Sequence, residues 1–186
     1  MAKAKIGIIV GSTRIGRFAE FPAKWIAELA GKREDVEVEI IDLLDYPMNF
    51  FGEERTTTAQ NETAERWKKK LREFDGFVIT VAEYNHGPTA VLKNAIDLGE
   101  FVQRPVGFVG YGGVGGARAI EQLRLVFVEM GSASVKTGVH ISYAEYLSAI
   151  KGEKKLGDYA HLNEAATNQL DQLVWWMNAL KTARAA

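Results

Sequence analysis

The chain contains no cysteine. This removes disulfides, thiolate metal sites, thiol nucleophiles and dithiol redox chemistry, so any redox role has to come from a bound cofactor. Histidine is scarce as well. His86, His140 and His161 have no metal-ligand spacing, and no metal site is expected. Excess charge of either sign is missing: 23 Lys and Arg against 24 Asp and Glu leave a formal net charge of −1. Such a balance gives no broad basic field for nucleic acid, so no nucleic-acid partner is expected, and it differs from the single-sign field of an acidic electron carrier. No apolar run approaches the length of a membrane span. The opening MAKAKIGIIVG is broken at Gly7 and stops at Gly11-Ser12, too short for the apolar region of a signal peptide. The expectation is a cytoplasmic protein without a membrane partner. Repeats, low-complexity tracts and linkers are also absent, and 186 residues suit one domain, 1–186.

What is present is an alternation of short apolar runs with helical periodicity, the pattern of an α/β protein. Strands are expected at 5–10, 36–41, 76–81, 105–110 and 134–142. Helical spacing links Phe18, Phe21, Pro22, Trp25, Ile26 and Leu29; Pro22 fits only within a first turn, which places the helix start near 19–21. Further helices are marked by Trp67, Leu71 and Phe74, by Leu92, Ala95 and Ile96, and by Ile120, Leu123, Phe127 and Met130. The last is marked by Leu170, Leu173, Val174, Met177 and Leu180. On it, one ring of Trp175-Trp176 is expected to face the core and the other to form a contact surface. The polar stretch 151–160 reads as an exposed loop.

Three strands, IGIIV, GFVITV and VGFVG, are apolar on both faces and belong inside a sheet covered by helices. The second and fifth alternate, as edge strands do. Right-handed crossovers then give the strand order 2-1-3-4-5, a flavodoxin-like doubly wound parallel sheet in three αβα layers. Ligands bind such sheets at the carboxyl ends of the strands beside the switch in winding direction. Here that crevice lies between the loop after the first strand, Gly11-Ser12-Thr13-Arg14-Ile15-Gly16-Arg17, and the loop after the third, Ala82-Glu83-Tyr84-Asn85-His86-Gly87.

The first loop combines backbone N–H groups near a helix start, two hydroxyls and two arginines, all suited to an anion. A helix cap with two solvated arginines is the plainer alternative, but a cap needs one such residue and not five. Gly11 to Gly16 has the glycine spacing of a nucleotide P-loop, yet Arg17-Phe18 stands where Lys-Ser/Thr is required. A terminal monophosphate, which needs no metal, fits better. Gly110-Tyr111-Gly112-Gly113-Val114-Gly115 matches a dinucleotide fingerprint but follows the wrong strand. It reads equally as a flexible turn or as a wall that a flat ligand can approach. The 83–87 loop suits a ring with hydrogen-bonding edges, with His86 a hydrogen-bonding residue rather than an acid or base. The pairs Glu53-Glu54 and Asp42/Asp45 read as solvated loop carboxylates, and no G-x-S-x-G nucleophile elbow occurs.

GSTRIGR, EYNHGPTAVLKNAIDL and GYGGVGGARAIEQLR, in that order, resemble the NADPH-dependent FMN reductase family, which includes quinone, azo-dye and chromate reductases. The resemblance runs from about residue 5 to 142 and includes Asp42-Leu43 with the Pro-Met-Asn-Phe-Phe loop. It implies an enzyme using FMN, with NADPH or NADH as co-substrate and a small-molecule electron acceptor. The phosphate is implied to lie on Ser12, Arg14 and Arg17, with the backbone from Gly11 through Thr13, Ile15 and Gly16 to Phe18. The ring is implied to be held by Ala82, Glu83, Tyr84, Asn85 and His86, with the loop at Gly112 and Gly113 closing the other side. No catalytic residue is implied, because the cofactor carries the redox chemistry. A homodimer, or a homotetramer as a pair of dimers, packed around the helix near Leu92 is also implied, with the 45–55 loop reaching toward the flavin. The sequence departs from the family at Ala82, Pro88-Thr89 and Leu98, which bears on the ring pocket and substrate choice. The alternatives are a flavodoxin-like electron carrier or sensor, and a phosphate-binding domain without flavin.

Overall fold

Five parallel strands form one sheet in the order β2-β1-β3-β4-β5, as the sequence pattern predicts: β1 (Ala4–Val10), β2 (Val36–Asp42), β3 (Gly76–Ala82), β4 (Val106–Tyr111) and β5 (Val139–Ile141). The computed structural model describes residues 3–53 and 57–185; Glu54, and Arg55 of the 45–55 loop, lie outside the described residues. The described residues also form six α-helices: α1 (Glu20–Gly31), α2 (Thr58–Leu71), α3 (Ala90–Asp97), α4 (Ala117–Glu129), α5 (Tyr143–Lys151) and α6 (Ala160–Arg184).

The two-residue period of the strands sorts the core into two layers. Ile6, Ile8, Val10 and Val78 pack with Trp25, Ile26, Leu170 and Leu173 beneath α1 and α6. Ile9, Phe77, Ile79 and Phe108 pack with Trp67, Leu92, Ile96, Leu123 and Phe127 beneath α2, α3 and α4. Pro22 falls in the first turn of α1, where its missing N–H costs no hydrogen bond. Phe18 is buried ahead of α1, whereas Phe21 is 46% exposed, off the expected apolar face and stacked on Phe18 at 5.1 Å. Neither Trp175 nor Trp176 enters the core; their exposures are 64% and 37%. Leu173, Val174 and Met177 already fill the inner stripe of α6.

β5 is shorter than the alternation 134–142 predicts. Val106 pairs with Ser134 in an isolated bridge, and regular pairing returns only at Val139. Side chains take the intervening backbone groups: Arg124 donates to Val135 O and Lys136 O, Gln172 Oε1 accepts from Thr137 N, and Gln169 donates to Thr137 O. Gln169 is fully buried; its Nε2 also donates to Phe108 O at 2.7 Å, and its Oε1 has no partner among the described residues. Gln169→Leu removes that orphan oxygen but leaves two inward carbonyls without their donor. The expected cost is about 2 kcal/mol, read as a lower urea midpoint at unchanged slope. A midpoint equal to that of the parent would mean water already serves both carbonyls.

α5 was not apparent in the apolar pattern. Ser142 and Glu145 form a reciprocal capping box at its start, directly after β5. Of the 151–160 stretch, Lys151 ends α5 and Ala160 begins α6; the loop between them is mostly exposed and carries a 3₁₀ turn at Leu156–Asp158, where Leu156 is 4% exposed.

Candidate functional site

At the end of β1 the chain passes against β3. Gly11 N–H donates to Thr80 Oγ1 at 3.0 Å and Thr89 Oγ1 donates to Gly11 O at 2.7 Å. A Cβ on Gly11 would stand 2.1 Å from Thr80 O, so only glycine fits this approach. Ser12 is buried, with its hydroxyl accepting from Arg14 N–H at 3.4 Å. Arg17 N–H closes a turn onto Arg14 O at 3.1 Å, with Gly16 at φ +68°. The N–H groups of Thr13, Ile15 and Gly16 meet no acceptor among the described residues. Arg14 is exposed and has no carboxylate partner among them; its guanidinium lies 5.9 Å from the Tyr84 ring.

The two arginines have different roles. Arg17 is turned inward, its side chain 5% exposed, and forks onto both oxygens of Asp42 while donating to Glu20 and, at 2.7 Å, to Ser12 O. Asp42 is therefore not the solvated loop carboxylate expected from the sequence. It pairs with Val10 in the β1–β2 register, which sets it at the root of the loop, and it also caps the following 3₁₀ turn through Leu44 N–H. Hydrogen bonds donated to Asp42 raise the Arg17 pKa against the opposing pull of burial, with Glu20 adding to the rise. The Arg17 guanidinium is thus committed to shaping the loop.

After β3, Tyr84 and Gly87 exchange backbone hydrogen bonds of 2.9 and 3.1 Å around Asn85 and His86, both at positive φ (49° and 77°). This is the geometry of a type I′ turn, in which Asn is at home and His is strained. Gln122 of α4 donates to His86 O at 2.8 Å and holds the turn down.

Glu83 points the other way. Its side chain is 2% exposed and accepts from Arg118 N–H at 3.1 Å and Arg118 Nε at 2.5 Å. Gly116, the residue before α4, has φ +72° and no capping side chain, so Glu83 caps α4 from the neighbouring strand. Burial alone would raise the Glu83 pKa. The hydrogen bonds from the Arg118 side chain and backbone outweigh it and leave the carboxyl below its ordinary value. The α4 N-terminus therefore already holds an anion of its own.

Between these loops lies an open crevice with a volume of about 180 Å3. Arg14, Tyr84, Glu83 and Ala82 form one side, Gly112 and Gly113 another, and Phe18, Tyr111, Tyr143 and Tyr146 an aromatic wall. Phe18 stands edge-on to Tyr111 at 5.2 Å and to Tyr146 at 4.8 Å, and Tyr143 stacks on Tyr146 at 5.8 Å. Burial pushes the Tyr111 phenol above its ordinary pKa, so it stays protonated. Of the residues read from the sequence, Arg14, Phe18, Ala82, Glu83, Tyr84, Gly112 and Gly113 line the crevice. Gly11, Ser12, Thr13, Ile15, Gly16 and Arg17 form the adjoining loop, and Asn85 and His86 the tip of the turn. Tyr111, Tyr143 and Tyr146 were not foreseen. The signal for the last two was the S-x-x-E box at Ser142, which opens a helix at the carboxyl edge of the sheet. A larger cavity, about 570 Å3, lies elsewhere beside α1 and contains none of these loops.

Residues 4–145 match the sequence model of the family described as NADPH-dependent FMN reductase. An NAD(P)H-dependent FMN reductase of Schizosaccharomyces pombe is 29% identical over 184 residues, covering 87% of this chain and 91% of that one. An FMN-dependent NADPH-azoreductase of Staphylococcus aureus is 26% identical over 178 residues, covering 92% and 94%. Among solved structures, a flavoenzyme NAD(P)H:(acceptor) oxidoreductase from Paracoccus denitrificans has a TM-score of 0.69 at 18% identity, with 95% and 98% covered. That likeness bears on the fold, which is flavodoxin-like. With the crevice at the switch point and a family match over most of its length, the chain belongs to the NADPH-dependent FMN reductases, oxidoreductases that use FMN and NAD(P)H.

Proposed function

We propose that the crevice at the carboxyl ends of β1, β3 and β4 holds FMN, and that the protein takes reducing equivalents from NAD(P)H and delivers them to a small acceptor of the quinone, azo, flavin or metal-oxyanion type. The observation that carries this reading is one anion loop opening into one flat, aromatic, glycine-walled crevice. Three N–H groups without acceptors and the unpaired Arg14 make the donor set of a phosphate site. Gly112 and Gly113 line the crevice without side chains, beside Glu83, which leaves room for a planar ring to approach the backbone. The volume is below the roughly 300–1,000 Å3 of sites that bury a whole small ligand. The crevice would therefore hold only part of the cofactor, with the exposed loop and Arg14 available to its phosphate.

FMN supplies the two-electron chemistry that a chain without cysteine lacks. The chain's own residues bind and orient. Arg14 and the loop N–H groups meet the phosphate, while Ser12 and Arg17 fix the loop from behind. The I′ turn would offer backbone groups to the ring edge, and Tyr84, Tyr143 and Tyr146, which line the crevice, would flank the ring. The near-neutral charge of the chain favours an enzyme over a carrier that steers protein partners by its field. Exposed Leu125 and Val128 on α4, with Phe50 and Phe51 after β2, favour a homodimer or homotetramer. Among the described residues no helix is long and apolar enough to cross a membrane, and a cytoplasmic location remains part of this reading.

The test is a visible spectrum after loading with FMN and removing the excess, followed by anaerobic addition of NADPH or NADH. A retained flavin spectrum that bleaches is the expected result. A retained spectrum that neither nucleotide bleaches would favour the carrier. No retained flavin would overturn the reading.

A further inference from the structure

The cavity beside α1 is larger than the flavin crevice and is not explained by it. Its volume, about 570 Å3, falls within the range typical of small-molecule sites. Trp25, Leu156 and Ala149, each less than 10% exposed, form its floor. The Trp25 indole is fixed, its N–H donating to Asn163 Oδ1 at 3.2 Å. Gly157 passes over the same ring, where an added Cβ would stand 3.7 Å from it. Phe21, four residues before Trp25 and half out of water, forms a wall on the same helical strip. Phe21 thus offers an open ring to the volume, and the buried Trp25 closes its floor.

The charges around it are unevenly committed. Lys154 and Lys155 stand on the loop wall and meet no carboxylate among the described residues; Lys154 lies 5.5 Å over the Tyr159 ring. Asp158 is taken by Lys155 N–H at 2.8 Å, and Glu20 by Arg17, with Lys24 at 3.6 Å. Glu28 is left on the α1 side, one turn beyond Lys24, where it repels an anion. A ligand acid is therefore drawn to the loop wall and its ring to the α1 strip.

We propose that this cavity is a second small-molecule site, for a planar aromatic acid whose ring lies against Phe21 above the Trp25 floor and whose carboxylate or sulfonate meets Lys154 and Lys155. It stands apart from the flavin crevice. Two contacts link them: the Phe18–Phe21 stack, since Phe18 lines the crevice and Phe21 the cavity, and the ion pair from Arg17 of the loop to Glu20 of the cavity.

The experiment titrates naphthalene-2-sulfonate into protein saturated with FMN and follows the four tryptophan indole N–H signals by NMR, with Trp25→Phe assigning the one of interest. A saturable shift confined to the Trp25 signal, at a Kd on the order of 0.1–1 mM, is expected. Lys154→Glu with Lys155→Glu, both exposed substitutions, should weaken binding about tenfold or more, and the neutral 2-naphthalenemethanol should bind weaker by a similar factor. No saturable shift up to about 5 mM overturns the site. Undiminished binding after charge reversal, or equal binding of the neutral compound, overturns the acid class. Because the readout is binding at Trp25, it stands even if the protein proves not to retain FMN.

Discussion

Arg17→Ala is expected to destabilise the protein by about 3 kcal/mol while Arg14→Ala leaves stability within about 0.5 kcal/mol, although the two arginines flank the same turn. Removing the Arg17 guanidinium takes away at once the fork on Asp42, the bonds to Glu20 and the only side-chain donor to Ser12 O among the described residues. Asp42, 26% exposed, and the buried Ser12 carbonyl are then left to recruit water or move apart. For a domain of this size such a loss lowers Tm by about 6–12 °C. Arg14 makes only a 5.9 Å approach to Tyr84, so the fold does not need it. Its loss should appear in FMN affinity instead, by about 10–100-fold, the worth of one charge-assisted contact to phosphate. Thermal melts and flavin titrations on both variants check the pair. Equal melting temperatures for the two would mean that Arg17 does not brace the loop, and unchanged flavin affinity in Arg14→Ala would remove Arg14 from the phosphate site.

That contrast marks how far the sequence could be read. Gly11-Ser12-Thr13-Arg14-Ile15-Gly16-Arg17 announces an anion loop by composition, and the apolar runs IGIIV, GFVITV and VGFVG place it at the switch point of the sheet. Composition cannot tell which arginine faces out. That depends on Asp42, 25 residues away, coming level with Val10 when β1 and β2 pair. Periodicity misassigned Phe21 for a related reason: the helix starts at Glu20, and the ring is held from outside by Phe18. β5 was overextended because alternation at 134–138 reads as strand, whereas side chains from α4 and α6 take those backbone groups. α5 was missed because its apolar stripe is weak and only its Ser142–Glu145 box declares it, so the tyrosines it carries to the crevice went unseen. Glu83 was read as part of the ring-binding loop. Its position is right, but its carboxylate is spoken for by a helix that begins 34 residues later.

Glu83→Ala is the second substitution with a large expected effect, about 2 kcal/mol in stability together with about a tenfold loss of FMN affinity. Among the described residues the carboxylate is the only side-chain cap of α4, and its removal leaves the Arg118 N–H and the Ala119 N–H without their acceptor beside the glycines of the crevice. The Arg118 side chain is 44% exposed, so the ion pair itself adds little and the helix N-terminus accounts for most of the effect. Glu83→Gln keeps one acceptor and should lose about half as much stability, having given up the charge. The pH dependence separates the charge from the shape. Since the folded pKa of Glu83 is depressed, its stabilisation is fully present above the unfolded value, about 4.3, and is lost as pH falls through the folded value. The gap in melting temperature between the parent and Glu83→Gln should therefore be widest at neutral pH and shrink steadily below about pH 4. Every other carboxylate is shared by the two proteins and drops out of the difference. A gap that stays constant into acid would mean that Glu83 holds α4 by shape alone, and that the glycine wall owes nothing to its charge.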